Sequence, residues 1–312
     1  MKKNLLTTAI LLVALVAQAQ NSVKIAPVLK VGMEKTYITK GEANTPGSAA
    51  ADITGEVFYK VVSKTFDGYQ INMKSKTNKI DATQMMQTLS SPDIMQLLNS
   101  MNIELLTDKN GGPTGIKNVK ELSEKCGTLV DSMFNAVLNQ SPEMKNNEML
   151  KTTMQKTTAT MKDMFTDEYM FEAISQTPGV TALNGKTITE GMVEDGTYAQ
   201  FLKTKTTYTL LNGGKTIVQN TKADVDKESM KAYMLKIMNS LLPESVAKET
   251  NPEQLSNMIE EMITNGTLKM DMSRKTTYDI GDDGWVKKLV MEMDMNMPNQ
   301  TAKVRQVIAL KD

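Results

Sequence analysis

Methionine recurs at every second position in two segments near the C-terminal end of this chain of 312 residues. Because successive side chains of a β-strand point to opposite faces, this alternation places each apolar set on one face of a strand. The residues between them are mostly charged or polar, as on the solvent face of an antiparallel sheet. The apolar positions are Leu268, Met270 and Met272 in the first segment and Leu289, Met291, Met293, Met295 and Met297 in the second.

The two segments are predicted to pair as a β-hairpin, because an Asp-Gly turn sequence lies between them. With Asp283-Gly284 as a two-residue turn, Met272 faces Met295. With the turn one residue earlier, Met270 faces Met295. Either register brings methionines of both strands onto one surface, which we call the Met face. Its members are Met270, Met272, Met291, Met293, Met295 and Met297.

The sequence leaves three interpretations of the Met face open. In the first, it is core beneath Met-rich helices, where each buried side chain contributes about 1.5–3 kcal/mol. In the second, it is an adaptable groove for a lipid or a hydrophobic peptide, because unbranched thioether side chains repack around varied ligands. In the third, its thioethers bind Cu(I) or Ag(I). Strict alternation argues against free surface methionines that consume oxidants.

The rest of the chain predicts an α+β fold, because hairpins and helical patterns alternate without the βαβ order of a parallel sheet. We expect a twisted, largely antiparallel sheet with Met-rich amphipathic helices on one face. Further strands are predicted at 35–42, 56–64, 70–76, 103–106, 114–116, 198–211, 215–223 and 303–310. Helices are predicted at 83–101, at 119–139 with Asn118 as its cap, at 141–174 with a break near 157–160, at 227–242 and from Pro252 onward.

Three stretches, 60–68, 205–214 and 275–284, share a Thr-containing strand that enters an Asp-Gly or Asn-Gly turn. A duplication would explain this similarity, and so would hairpin chemistry alone. The sequence therefore leaves open whether the protein is built from two similar halves. The division that we predict is a leader at 1–19, an N-terminal half at 20–180 and a C-terminal half at 181–312.

The N-terminus has the pattern of a secretory signal peptide. Lys2 and Lys3 precede an apolar run at 5–16, and Ala17-Gln18-Ala19 supplies small residues at the positions that a signal peptidase reads. We expect cleavage between Ala19 and Gln20 and a periplasmic or secreted protein. No later apolar run is long enough to span a bilayer, so we expect no transmembrane segment after cleavage.

Composition excludes several functional classes. The chain has no histidine, which removes the usual general base and most zinc sites. Its 36 Lys and Arg balance 36 Asp and Glu without a basic cluster, which argues against nucleic-acid binding. Cys126 is the single cysteine, so an intramolecular disulfide is excluded, and its helical position predicts a small buried hydrophobic residue.

Acidic clusters give no specific site. The pairs Asp167-Glu168, Glu260-Glu261 and Asp282-Asp283 would need convergence in space to act as acid and base, and the last pair is explained by its turn. The segment 224–228 resembles calcium ligands but lacks the glycine and the final glutamate of an EF-hand loop. We therefore assign no catalytic residue, no metal ligand and no cofactor.

The Ala-Gln-Ala-Gln sequence at the end of the leader, the richness in Met and Thr, and the strand–helix–strand order resemble uncharacterised exported β-rich families common in Bacteroidetes. The segment from Asp108 to Val119, a hairpin that runs into a helix, is also similar to the lipoprotein-carrier fold. That resemblance implies a curved antiparallel sheet around helices. This chain has no carrier signature from which a transport function would follow.

These observations lead to an expected function. We expect an exported, non-enzymatic binding protein that holds an apolar ligand, a lipid or a hydrophobic peptide, on the Met face. In that case part of the Met face stays uncovered as a pocket or groove. The alternative is a cell-envelope interaction or scaffold protein with a closed core and no small-molecule ligand. An enzyme would require convergent polar groups in a cleft.

Overall fold

A computed structural model of the protein describes residues 21–44, 50–81, 92–140, 147–198, 201–241, 252–267, 269–298 and 300–311. The strands are β1 (Ser22–Lys24), β2 (Glu34–Asn44), β3 (Ala51–Lys64), β4 (Gly68–Asp81), β5 (Asn102–Asp108), β6 (Pro113–Ile116), β7 (Thr187–Thr189), β8 (Val193–Tyr198), β9 (Leu202–Leu211), β10 (Thr216–Val225), β11 (Asp271–Ile280), β12 (Val286–Met297) and β13 (Gln300–Leu310). The helices are α1 (Pro92–Ser100), α2 (Val119–Gln140), α3 (Glu148–Asp163), α4 (Asp167–Gln176), α5 (Lys227–Leu241) and α6 (Pro252–Thr264).

Eleven of these strands form one open antiparallel sheet in the order β6-β5-β4-β3-β2-β13-β12-β11-β10-β9-β8. Strands β1 and β7 pair separately. The α+β class and the antiparallel sheet are thus as predicted. In this strand order, β2 to β6 come from residues 20–180 and form one half of the sheet, and β8 to β13 come from residues 181–312 and form the other half. The two halves meet where β2 pairs with β13. Both parts of the chain therefore share one sheet, while a boundary at 180/181 stays a prediction.

The central core lies on one face of this sheet and is covered by two segments that are mostly irregular. The first runs from Val23 to Met33 and the second from Val180 to Met192, and both pack on strands from each side of the β2–β13 junction. The helices pack mainly on one another: α3 contacts α2 and α5, α5 contacts α6, and α1 contacts β4. Among the described helices, none combines the length and apolar character needed to cross a membrane.

The expected long helix after residue 141 is interrupted, but not where its threonines suggested. The hydroxyls of Thr157, Thr158 and Thr160 donate to the carbonyls four residues earlier, so they are satisfied inside a continuous α3. The break falls between α3 and α4, where Thr166 accepts a hydrogen bond from the Tyr169 N–H at the start of α4. The predicted break near 157–160 was therefore wrong, because back-bonding satisfies these hydroxyls without ending the helix.

Asn118 precedes α2 as predicted, but its side chain serves another element. Its Oδ1 accepts the Glu104 backbone N–H at 2.9 Å, and its Nδ2 donates to the Asn102 carbonyl at 2.7 Å. Both partners belong to β5, so Asn118 joins the start of α2 to the β5–β6 hairpin instead of capping its own helix. The prediction of an Asn118 side-chain cap was wrong, because a sheet edge offered the same polar atoms better-placed partners.

The hairpin of β11 and β12 has one of the predicted registers. Met272 pairs with Met295, as expected for a turn at Asp283-Gly284. The turn itself is longer than two residues: the Gly281 N–H donates to the Trp285 carbonyl at 2.7 Å, and a bulge follows Asp279. Gly284 has φ 78°, a conformation that favours glycine. The two-residue turn was therefore wrong, and the bulge restores the register that it would have produced.

Other predicted elements differ mainly at their ends, and the short strands β1, β7 and β8 had little sequence signal. Three predictions fall on parts of the chain outside the described residues. These are the leader at 1–19, the first turns of the helix expected at 83–101, and the Ser141-Pro142-Glu143 helix start.

Candidate functional site

Burial along the Met face decreases toward the end of β12. Leu289 is completely buried and Met291 is 9% exposed, whereas Met293, Met295 and Met297 farther along β12 are half-buried. We call the part of the face around Leu289 and Met291 the closed end, and the part around Met270, Met272, Met293, Met295 and Met297 the open end. The two ends lie on the same strands, so their difference comes from what covers them.

The closed end is ordinary protein core. The Tyr37 hydroxyl donates to the Val286 carbonyl at 2.9 Å, and the Trp285 indole N–H donates to the Val28 carbonyl at 3.0 Å. The rings of Tyr59 and Trp285 lie edge to face with centroids 6.2 Å apart. Burial raises the pKa of Tyr37 and Tyr59 well above the ordinary value. Tyr37 thus joins β2 to β12, and Trp285 joins the sheet to the first covering segment.

The open end has a small apolar cluster of its own. Leu202, Ala223 and Met272 are buried there, and a rim of half-buried side chains packs around them. That rim consists of Tyr198, Phe201, Val225, Met270 and Met293. The ring of Phe201 lies against Tyr233 of α5, with centroids 4.9 Å apart. The open end therefore adjoins the helical layer through an aromatic contact.

A second apolar space lies between the helices beside this contact. It has a volume of about 250 Å³. Its lining comes from α3, from α4 and the residues just before it, and from α5: Thr157, Thr160, Met161, Met164, Phe165, Tyr169, Tyr233 and Ile237. Tyr233 belongs both to this interhelical cavity and to the aromatic contact with Phe201. The apolar surface is thus continuous from the open end into the helical layer.

Strand β11 brings polar groups onto the same face as its methionines. The alternation of Met270 and Met272 continues through Arg274, Thr276 and Tyr278, and the pairing puts Arg274 opposite Met293. We expected this face to be apolar and the charged residues to lie on the other face. That expectation was wrong at Arg274 and Thr276, although the period of two could have identified both residues.

The neighbouring strands extend this polar band. Arg274 pairs with Thr221, Thr221 with Thr206, and Thr206 with Glu194 at the sheet edge. The Thr206 and Thr221 hydroxyls are 2.9 Å apart. In the adjacent row, Gln219 donates to the Tyr208 hydroxyl at 3.2 Å. A hydrophilic strip therefore crosses the inward face between the closed end and the open end.

The band borders a cavity of about 160 Å³. Residues from β8 to β11 form its sheet side, and residues at and after the end of α4 complete its wall. The whole lining consists of Ser175, Pro178, Ala182, Lys186, Glu194, Asp195, Gly196, Thr197, Tyr198, Thr204, Thr206, Gln219, Thr221, Met272, Arg274 and Tyr278. We call it the Arg274 cavity. Both Arg274 and the apolar Met272 line it, so it joins the polar band to the open end.

Arg274 has no hydrogen-bond or ion-pair partner among the described residues, and its Nε atom is buried. Burial lowers the pKa of its guanidinium, although arginine keeps its proton in proteins. The carboxylate in the same band, Glu194, is already engaged by the Lys186 ammonium at 3.1 Å and the Tyr208 hydroxyl at 2.5 Å. Arg274 is thus a half-buried cation, with its Nε atom buried and without a counter-charge in the described part of the chain.

Two other predicted features can be placed in the structure. Cys126 on α2 is half-buried instead of fully enclosed as expected. Its partial burial raises the pKa of its thiol. The described residues contain no cluster of three or more carboxylate, cysteine or histidine side chains. A Cu(I) or Ag(I) site on the Met face is disfavoured because the Arg274 guanidinium faces Met293 across the strands.

No family model matches this chain, and no curated protein matches it. A solved structure concerned with lipid–protein interactions in lipovitellin is similar, with a TM-score of 0.39 and 9% identity. The similar region covers 91% of this chain and 26% of that protein. Similarity at this level carries no conclusion about ligand or family, and the resemblance to exported Bacteroidetes proteins stays a prediction.

Proposed function

We propose that this protein binds a lipid without transforming it, and that the open end of the Met face is the binding surface. The observation that carries the proposal is the fall in burial along β12, from a completely buried Leu289 to half-buried Met293, Met295 and Met297. A face that served only as core would be covered along its whole length. Half-buried methionines provide a soft apolar surface that can adapt to a ligand.

The two cavities support a ligand with a narrow chain. The Arg274 cavity and the interhelical cavity measure about 160 Å³ and 250 Å³. An apolar cavity of roughly 150 Å³ holds one benzene-sized molecule, so these spaces suit parts of an alkyl chain and are too small for a folded peptide. We therefore favour a lipid over a hydrophobic peptide as the ligand.

We further propose that the protein acts in the periplasm or outside the cell. The basic start, the apolar run and Ala17-Gln18-Ala19 support export. The absence of histidine from the whole chain supports a binding role over catalysis. The Met face requires no bound metal or cofactor for this role.

Native mass spectrometry of the mature protein from its own host, followed by lipid extraction, tests the proposal. We expect a co-purifying lipid that is lost in the Met293→Asp and Met295→Asp variants, because a carboxylate in the open end is incompatible with an alkyl chain. Asn220→Asp is the matched control: it adds the same charge at an exposed position of β10, paired with Lys275. This control should keep the lipid.

A lipid-free protein that takes up nothing from a mixed lipid pool would overturn the binding proposal and favour the envelope scaffold. Retention of the lipid by both Met variants, with unchanged thermal unfolding, would move the binding surface away from the Met face. Recovery of a peptide in place of a lipid would overturn the choice of ligand class.

A further inference from the structure

We infer that the ligand is an amphipathic anion, a single-chain carboxylate of the fatty-acid class, whose head group is bound by Arg274. This inference rests on the proposed function and specifies its ligand. The supporting observation is that a cation lies beside the apolar open end, which a carrier of purely apolar ligands would not need. A half-buried cation, whose buried Nε atom has no partner among the described residues, lies beside the open end and lines a cavity with room for a small head group.

Arg274 carries a positive charge that is partly removed from water. A charged side chain removed from water is unfavourable unless an opposite charge and hydrogen bonds replace the solvent. Arg274 has neither among the described residues. Besides burial, the side chains that influence the pKa of its guanidinium are those of Tyr278, Tyr198 and Tyr208, and none of them is a carboxylate. A bound carboxylate would supply the missing counter-charge.

The carboxylates near the cavity do not fill this role. Glu194 lies three strands away from Arg274 along the same row, roughly 14 Å at the usual strand spacing, and is engaged by Lys186 and Tyr208. Asp195 also borders the cavity, but it alternates with Glu194 along β8 and is exposed. The carboxylates of the described segments therefore leave the guanidinium available to a ligand.

The chemistry of the head group follows from the donors. A guanidinium presents a planar fork of N–H groups that matches the two oxygens of a carboxylate. Thr206 and Thr221 line the same cavity with hydroxyls that are hydrogen-bonded to each other, so the accepting hydroxyl keeps a proton that it can donate to a head group. A volume of about 160 Å³ holds a carboxylate and the first carbons of its chain but not a large polar head group.

The path of the chain follows from the apolar surface. From the Arg274 cavity, the lining passes through Met272 and Tyr198 to the half-buried rim of the open end. Phe201 and Tyr233 then lead to the interhelical cavity. We assign the head group to the polar band and the alkyl chain to the open end and this aromatic passage.

The test compares three ligands of one chain length on delipidated wild-type protein by titration calorimetry. The ligands are decanoate, 1-decanol and decyltrimethylammonium, each below its micellar concentration. We expect decanoate to bind about 10- to 100-fold more tightly than decanol, because one charged hydrogen-bonded contact has this effect. The cationic ligand should bind more weakly than decanol.

Variants then locate the effect. Arg274→Met removes the charge and should make decanoate and decanol bind equally. Arg274→Lys keeps the charge and should retain part of the preference for decanoate. Lys275→Gln, the next residue on the exposed face of β11, removes a cation outside the cavity and should leave the preference unchanged.

The outcomes separate this inference from the proposed function. Equal binding of decanoate and decanol to wild type, or a preference that survives in Arg274→Met, would overturn the anionic head group and leave an apolar carrier. Binding of none of the three ligands would overturn both. If Arg274→Met does not fold, the ligand comparison on wild type and Arg274→Lys still decides.

Discussion

The closed end and the open end of the Met face lie on the same strands, yet they differ in cover and in chemistry. At the closed end, two irregular segments lay Ile25, Leu29, Val180 and Leu183 over the sheet. At the open end, Met272 is buried but the methionines of β12 are half-buried, and a guanidinium without a partner among the described residues lies beside them. The alternation of side chains along a strand therefore determines which residues share a face, while segments distant in sequence determine whether that face is covered as core or stays open to a ligand.

Truncation of a side chain should lower the free energy of unfolding much more at the closed end than at the open end. Leu289→Ala should lower the free energy of unfolding by about 2–5 kcal/mol, because it leaves a cavity beneath well-packed cover. Met295→Ala, on the same face of the same strand, should cost less, about 1 kcal/mol, because its side chain is less deeply buried than Leu289. Chemical denaturation of both variants measures the difference. Equal losses would show that the open end is core as well.

A smaller effect of opposite sign is expected at Arg274. Replacement of this half-buried cation, which has no partner among the described residues, by Met should raise the free energy of unfolding of the ligand-free protein by about 1–2 kcal/mol. Denaturant unfolding of delipidated wild type and Arg274→Met measures it. Lys275→Gln serves as the exposed control and should change little. A loss of stability in Arg274→Met would indicate a structural role for the guanidinium.

Thr276 sharpens the comparison within the polar band. Its side chain is completely buried and its hydroxyl has no partner among the described residues. Thr276→Val should therefore raise the free energy of unfolding by about 1 kcal/mol, since a methyl group replaces an unsatisfied hydroxyl. Thr277→Val, one residue along on the other face, should stay within roughly 0.5 kcal/mol of wild type. Thermal unfolding of the two variants distinguishes the two sides of the strand.

The smallest effect concerns the anchoring of the helix that borders the open end. Asp226 precedes α5, accepts the Ser229 N–H at 3.0 Å and pairs with Lys203, and these contacts hold the pKa of its carboxyl at about 2. Because the folded pKa lies below the ordinary value of about 3.9, the charge stabilises the fold above pH 4. This contribution is lost as the pH falls toward 2.

Asp226→Asn keeps a side chain that can cap a helix but removes the charge. Wild type should be the more stable above pH 4, and the difference should shrink as the pH falls through this window. Urea denaturation of both proteins across the range measures it. A difference that is constant with pH would assign the effect to geometry instead of charge.

Local pattern predicted much of the sheet. The alternation of methionines left two registers open, and one of them is the observed pairing of Met272 with Met295, because a period of two leaves few registers that keep one face apolar. The length of the turn was not predictable from local pattern, because Trp285 at its end is buried in the core. The indole N–H of Trp285 donates to the carbonyl of Val28, more than 250 residues away in the chain.

The site was harder to predict than the fold. The segments that cover the closed end have no helical or strand period, so the sequence does not show that they lie on the sheet. Arg274 was missed for a different reason: we took the apolar run to end at Met272, although the same alternation reaches Arg274 and Thr276. A polar residue at an inward position of a strand was the available signal.

The most direct test of the central claim is the location of a heavy-atom fatty acid. We would determine the crystal structure of the delipidated protein with 10-bromodecanoate and locate the bromine by its anomalous scattering. We expect the carboxylate within hydrogen-bond distance of the Arg274 guanidinium, and the bromine among the side chains of the open end or in the interhelical cavity. A ligand bound elsewhere, or an open end that stays empty at saturating concentration, would contradict this expectation.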